Sequence, residues 1–338
     1  MDGNSGTGIS LGNRRLDASQ FQFSYSSLNK LLNFPHIFHK EYVLGEKEIS
    51  TEKYLLEGHL IHYLLLDNVG FDSKYIIAGD KLPSSNNIAI AEYVFKNGDP
   101  GSSLEDNEDL ILEYLVEVNL HQSLKLDSAR VAKILESKTI DYFNFLKEKE
   151  GRIIIDSEIL DKCKLRVEII KEDVEVCKLL GLDSYKDNYF DVQCEYLYEI
   201  SPGSFRDYPF GIKGILDNVT IGGDENNIVI TINDFKTTSK GLNNFPETVE
   251  FYRYWLQAAF YCTLMEDVAK TQALKNFKIE FNFVVFDKFN QLYVFPVKQE
   301  TLKAWSDEFT NMLKKGMYHL DSNDYTLPYD FAHKLVYL

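Results

Sequence analysis

The stretch 211–240, GIKGILDNVTIGGDENNIVITINDFKTTSK, constrains the fold more than any other. Two apolar runs of strand length, 210–221 and 227–236, flank the turn-forming hexapeptide GGDENN, which predicts a hairpin. Ile228 to Ile232 is apolar on both faces, as in a central strand covered on each side. A third strand-like run, FDVQCEYLYEI (190–200), comes before the hairpin. After it come a helix over about 247–266 opened by Pro246, strands at 277–287 and 292–298, and a helix over about 300–316. The order helix–β–β–β–helix–β–β–helix predicts one mixed sheet flanked by helices, an α/β (α+β) class.

The chain upstream has a different character. FSYSSLNKLLNF (23–34) reads as a short helix with Ser26 or Ser27 as its N-cap and Pro35 marking its end. Residues 50–67 read as a mostly covered helix capped by Ser50 or Thr51. The main loop signal is Asn-Gly-Asp-Pro-Gly-Ser-Ser within 85–108. Residues 109–149 look helical, and 156–181 reads as one long amphipathic helix from Asp156 or Ser157 to Gly181. We expect a loose arm over 1–22, a helical region or cap over 23–185, the sheet-bearing core over 186–320 and an irregular tail over 321–338.

Composition removes several classes. With 338 residues, 44% hydrophobic and 14% aromatic, the chain builds a core rather than a disordered array. No apolar stretch is long enough to span a bilayer, and the polar first residues lack the apolar segment of a signal peptide. Cys163, Cys177, Cys194 and Cys262 form no C-x-x-C pair, so they read as reduced thiols of an intracellular, cytoplasmic protein. The formal net charge of −16 argues against a generally basic nucleic-acid-binding surface. It leaves room for a narrow basic groove on an acidic body.

Against this background three charges in the hairpin stand out. Strand residues two apart share a face, so Asp234 and Lys236 are neighbours. The hairpin can bring Asp217 back beside Asp234. Two facing carboxylates repel each other unless a divalent cation lies between them, which points to a Mg²⁺ or Mn²⁺ site. Lys236 would then orient or help deprotonate an attacking water, or steady transition-state charge. Taken alone, D-x-K also describes an ion pair at a strand end with Asp217 in a turn. Arg253, Gln257 and Tyr261 recur every four residues on the 247–266 helix, which predicts one polar stripe on an otherwise apolar helix.

Together these motifs resemble the PD-(D/E)XK nuclease superfamily. The set is Gly214 and Asp217 as G-x-x-D, then Asp234, Lys236, Thr237 and Thr238 as D-x-K-T-T, then Gln257 and Tyr261 as Q-x-x-x-Y. Within the superfamily the likeness is to RecB-type and RecE-type (exodeoxyribonuclease VIII) exonucleases. Gly58 and His62 match an upstream G-x-x-x-H helix, and SYSSLNKLLNFPHIF matches an N-terminal S-x-L…P-x-x-F segment. The likeness spans most of 23–300. It implies a restriction-endonuclease-like core with an N-terminal helical cap.

The resemblance also implies roles. Asp217 and Asp234 match the metal-binding acids, Lys236 the catalytic lysine and His62 an added metal ligand. The Phe235 carbonyl would be a backbone ligand, and Glu195 matches an acidic position facing the same site. Gln257 and Tyr261 match a motif that holds DNA or positions the lysine. Lys213 stands where a basic residue precedes the first aspartate. No cysteine follows Cys262, so no iron–sulfur cluster is expected. Thr237, Thr238, Lys240, Arg253 and Arg206 would grip the DNA, with binding that weakens in salt. The implied activity is metal-dependent exonucleolytic hydrolysis of linear duplex or single-stranded DNA, with an endonuclease or a non-catalytic DNA-binding protein as rival readings. A homo-oligomer around DNA and a partner annealing protein or recombinase are further expectations. The Asn-, Lys- and Ile-rich, Ala-poor composition suits a low-GC genome, that of a bacteriophage or its bacterial host.

Overall fold

The computed structural model describes residues 15–46, 53–79, 82–185, 192–224 and 226–337. The strands are β1 (Gln22–Phe23), β2 (Tyr75–Ile77), β3 (Ile153–Ile155), β4 (Tyr196–Ile200), β5 (Gly211–Leu216), β6 (Asn218–Asp224), β7 (Asn227–Thr237), β8 (Phe277–Phe286) and β9 (Leu292–Pro296). The first helices are α1 (Tyr25–Asn33), α2 (Pro35–Phe38), α3 (Lys53–Leu66), α4 (Phe71–Lys74), α5 (Ser85–Asn97), α6 (Glu108–Glu117) and α7 (Asp127–Ile134). They are followed by α8 (Ser137–Glu148), α9 (Ser157–Lys171), α10 (Val174–Leu179), α11 (Phe245–Phe251), α12 (Tyr254–Thr271), α13 (Gln299–Ser322) and α14 (Tyr329–Ala332). The chain forms two compact units, one of residues 1–55, 173–184 and 194–338, the other of 56–172 and 185–193.

The first unit carries the sheets. β6, β7, β8 and β9 lie side by side in that order, with β7 and β8 parallel and the outer pairs antiparallel. A parallel pair needs a long crossover, and α11 with α12 supplies it. β1, β5 and β4 form a second, three-stranded sheet. The mixed α/β class holds, but the expected single sheet is two. The predicted strand 210–221 is cut at Asp217, because β5 takes β4 as its partner whereas β6 takes β7. The GGDENN turn is tighter than its sequence suggests, since pairing continues through Gly222, Gly223 and Asp224 to Asn227.

Aromatic residues dominate this unit's core. Phe23, Phe38, Phe205, Phe210, Phe245, Phe260, Phe281, Phe283 and Phe309 are all buried, each contributing about 1.5–3 kcal/mol by leaving water. Phe260 of α12 meets Phe309 of α13 with ring centroids 5.7 Å apart. Six consecutive residues of α12, Leu256 to Tyr261, are buried, so this helix lies inside the unit instead of covering it.

The second unit is helical, with β2 and β3 as a short parallel pair. Its core includes Ile90, Val94, Leu104, Ile111, Leu115, Val131, Ile134, Phe143 and Leu146, contributed chiefly by α5 to α8. Among the described residues, no helix of either unit is long and apolar enough to cross a membrane.

Several local expectations change. The N-cap of α1 is Ser24, whose hydroxyl accepts from Ser27 N–H while the Ser27 side chain returns to Ser24 N–H. Ser27 is therefore the far side of a capping box. The cap expected at Ser50 or Thr51 lies outside the described residues. The segment before the Gly98 loop is helix α5, and the helical character expected over 109–149 is divided among three helices, α6, α7 and α8. The 156–181 helix breaks at Glu172–Asp173, where the Asp173 side chain accepts from Val176 N–H and starts α10 afresh. The last helix runs on to Ser322, and the tail contains α14.

Candidate active site

The site begins with a register. Asn218 pairs with Asn233 at the end of the β6–β7 ladder, so Asp217, one residue earlier, stands opposite Asp234. Asp217 occupies the junction between β5 and β6 and not a turn. Its Oδ2 accepts the Phe235 N–H at 2.6 Å, so the side chain takes the donor just past the last ladder pair. The group expected at Phe235 was a carbonyl ligand; the bond present uses that residue's amide.

Both carboxylates are inside the protein, Asp234 at 2% exposure and Asp217 at 7%. Burial of an unpaired carboxylate is costly, so each needs partners. Asp234 Oδ1 accepts from Gln257 Nε2 at 3.2 Å, and Asp234 Oδ2 forms an ion pair with Lys236 Nζ. Gln257 Nε2 also donates to Tyr261 Oη at 3.2 Å. Glu195, half-buried just before β4, brings a carboxylate oxygen within 4.8 Å of one on Asp217. Two hard oxygen donors at that separation suit a divalent cation that prefers oxygen ligands.

The charges of this cluster hold one another. Burial opposes the Lys236 ammonium, but Asp234, Asp217 and Tyr254 outweigh it and raise its pKa above the usual value. The Lys236 Nζ also lies 5.2 Å above the Tyr254 ring. Tyr261 is raised by burial and then by Asp234 and Asp217, so its phenol stays protonated. Cys194, next to Glu195, is pushed up to about 12 by burial and by Asp183 and Glu195, which leaves an inert thiol.

The predicted polar stripe is shorter than expected. The 247–266 helix breaks, and Arg253 sits in the break in the left-handed region at φ 56°, ahead of α12. Only Gln257 and Tyr261 remain as a stripe, and it points inward to Asp234. The Tyr25 hydroxyl donates to the Tyr252 carbonyl at 2.9 Å, capturing an oxygen freed by the break. Gly214 explains how α12 comes so near: a Cβ there would lie 2.9 Å from Tyr261 Cε1 and 3.3 Å from Leu264 Cδ2.

The other predicted residues are more scattered. Thr237 ends β7, half-buried, and Thr238 Oγ1 accepts the Lys240 N–H at 3.1 Å. Lys240 is exposed, its Nζ 5.9 Å from the Phe251 ring. Arg206 lies against two carboxylates, Glu266 and Asp267, each at 3.6 Å. His62 belongs to the second unit, half-buried on α3.

Three contributors were not read from the sequence. Tyr254 under Lys236 and Tyr25 at the helix break obey no motif spacing. An asparagine ladder also runs behind the carboxylates: Asn282 Nδ2 donates to Asn233 Oδ1 at 2.8 Å, and Asn233 Nδ2 donates to Asn218 Oδ1 at 3.2 Å and to Leu179 O at 2.7 Å. These residues face away from Asp234 and fix the register that sets Asp217 opposite it. The NDN-like pattern of Asn218 after Asp217 and Asn233 before Asp234 was the available signal.

The sequence model of the PD-(D/E)XK nuclease superfamily matches residues 22–325. The chain belongs to this superfamily. Phosphodiester hydrolysis of nucleic acid is the chemistry of PD-(D/E)XK nucleases, and divalent metal ions typically support it. The oxygen-rich pair Glu195 and Asp217 fits that chemistry. Among solved structures, the chain is similar to a candidate exonuclease from Eubacterium rectale, with 10% identity, 88% of this chain and 81% of that chain covered, and a TM-score of 0.36. A comparison with curated proteins finds no match.

Proposed function

We propose that this PD-(D/E)XK nuclease is a Mg²⁺- or Mn²⁺-dependent deoxyribonuclease that degrades linear DNA from its ends, in the RecB/RecE-like branch that its motifs resemble. The observation that carries the reading is Asp217 set opposite Asp234 across β6 and β7, with the Lys236 ammonium on the Asp234 carboxylate. Asp217 closes the strand pair with one oxygen on Phe235 N–H, but a second carboxylate and an ammonium beside it exceed what that pairing needs and suit a phosphate with its cation.

In this reading Asp217, Asp234 and Glu195 hold the ion, joined by the Phe235 carbonyl and by His62. The bound ion would polarise the phosphate and lower the pKa of a coordinated water. Lys236 places fixed positive charge where negative charge grows on the phosphate. Gln257 orients the Asp234 carboxylate through its amide, and Tyr261, kept neutral, holds Gln257 in turn. Thr237, Thr238, Lys240 and Arg253 grip the sugar–phosphate backbone; Arg206 joins them only by leaving Glu266 and Asp267. Residues 186–320 form the nuclease core and 23–185 its cap. A homo-oligomer enclosing DNA, a partner annealing protein or recombinase that takes the product, and a place in the cytoplasm of a bacterium or phage-infected cell extend the proposal.

The test is digestion of linear and covalently closed circular DNA with Mg²⁺ or Mn²⁺, by the wild type and by Lys236→Ala and Asp234→Ala. Loss of linear DNA alone, abolished in both variants, supports the end-directed reading. Nicking of circles makes the protein an endonuclease. No cleavage of either substrate leaves a DNA-binding protein and removes the proposal.

A further inference from the structure

The surface beside Lys236 is aromatic where it should be polar. Phe251 is 76% exposed, Phe289 64% and Tyr252 48%. Single exposed apolar residues are ordinary, but these three belong to one connected run that starts at the site. The Lys236 Nζ lies 5.2 Å over Tyr254, whose ring stacks on Tyr252 at 5.7 Å, and Tyr252 meets Phe251 edge-on at 4.9 Å. Phe251 carries Lys240 at 5.9 Å. One residue further, the Gly241 backbone lies against Phe289, with a built Cβ 3.4 Å from its ring. Lys288 Nζ is 4.9 Å from that same ring.

The loop that carries Lys240 and the loop that carries Phe289 and Lys288 are fixed to each other. Asp287, fully buried, accepts the Leu242 N–H at 3.2 Å with Oδ2, and the Phe289 and Gln291 N–H groups at 2.8 and 2.9 Å with Oδ1. A buried carboxylate spent on exposed loop tips gives a preorganised surface. Phe251 stands at the end of α11, where Tyr25 ties down the following carbonyl.

Resting on the nuclease reading, we infer that Phe251, Tyr252 and Phe289, flanked by Lys240 and Lys288, form a stacking platform that receives unpaired bases of a DNA strand entering the site. Base faces stack on aromatic rings without regard to sequence, and lysines set beside the rings match the phosphates between bases. Duplex DNA hides its base faces and gains little from such a surface. The platform therefore selects frayed or single-stranded ends, and positive charge along it offsets the acidity of the rest of the chain.

The test is fluorescence anisotropy in EDTA with a short labelled single-stranded oligodeoxynucleotide and with a dumbbell duplex that has no free ends. The wild type, Phe251→Ala/Phe289→Ala and Phe251→Trp/Phe289→Trp are compared, with thermal melting as a control for folding. The alanine pair should weaken single-strand binding by about tenfold or more and leave the dumbbell within about twofold, while the tryptophan pair retains single-strand binding. An unchanged single-strand affinity, an equal loss on the dumbbell, or a shift in sedimentation that shows the rings join two copies of the chain would each overturn the inference. Hydrolysis is measured separately with Mg²⁺ or Mn²⁺. Wild-type cleavage with unaltered binding by the variants sinks the platform alone, whereas the expected binding changes without any cleavage sink the nuclease reading and leave the platform.

Discussion

The two units bury aspartate for opposite purposes. In the helical unit Asp156 is 8% exposed, and its Oδ1 accepts Ile159 N–H at 2.7 Å as the N-cap of α9. Its neighbours in kind, Asn87 and Thr139, bond to each other at 3.0 Å between α5 and α8. These polar groups cap a helix or join one helix to another. In the sheet-bearing unit Asp234 sits mid-strand, where the ladder with β8 already serves the backbone, and faces a second carboxylate and an ammonium. Asp287 of the same unit shows that burial by itself is no signal, since three backbone N–H groups account for it. What separates Asp234 is that, beside the Gln257 amide, it faces an ammonium and a second carboxylate, a cluster of charge that helix capping does not explain.

The comparison breaks most sharply at Asp217. Asp217→Asn keeps an oxygen for Phe235 N–H and relieves repulsion from Asp234, so denaturant midpoints should hold or rise while DNA hydrolysis falls at least about 100-fold. A fall in stability equal to that of an ordinary core variant would place Asp217 with Asp156 as a structural residue. Chelation by EDTA should abolish hydrolysis by the wild type. Millimolar Mn²⁺ should raise its melting temperature, because an ion bound only by the folded state stabilises it, and should leave that of Asp217→Asn unmoved. Gly214→Ala comes next: its methyl meets Tyr261, and the cost should be about 1–3 kcal/mol of stability by overpacking, with hydrolysis reduced as Gln257 shifts. Asp156→Ala should cost about 1 kcal/mol by loss of the cap and leave hydrolysis per folded molecule unchanged. The smallest effect belongs to Arg253→Gly. Glycine adopts the left-handed backbone freely, so stability should hold or rise by up to about 1 kcal/mol, while affinity for DNA, measured by salt-dependent anisotropy, drops if Arg253 grips phosphate.

Much of this was legible because it is periodic or short-ranged. Alternation placed Asp234 and Lys236 on one face, the turn signal joined β6 to β7, and α12 with its Gln257–Tyr261 spacing followed from the turn of a helix. Breaks were less legible. Asp173 and Arg253 both interrupt runs whose apolar pattern continues through them, so periodicity reads one helix where side-chain capping and a left-handed residue make two. Tyr254 and Tyr25 left no mark, since each acts through neighbours distant along the chain, and so does the bond from Leu242 N–H that makes Asp287 more than a local turn residue.

By itself, then, the sequence determined the mixed α/β class, the hairpin and the cluster of opposed charges within it, because strand pairing and side-chain alternation follow from the order of residues alone. Tertiary structure decided the rest. The exchange of strand partners at Asp217, the inward turn of the α12 polar pair over Gly214, and the aromatic run outward from Lys236 all depend on which surfaces exclude water together, and that is set by packing across the chain.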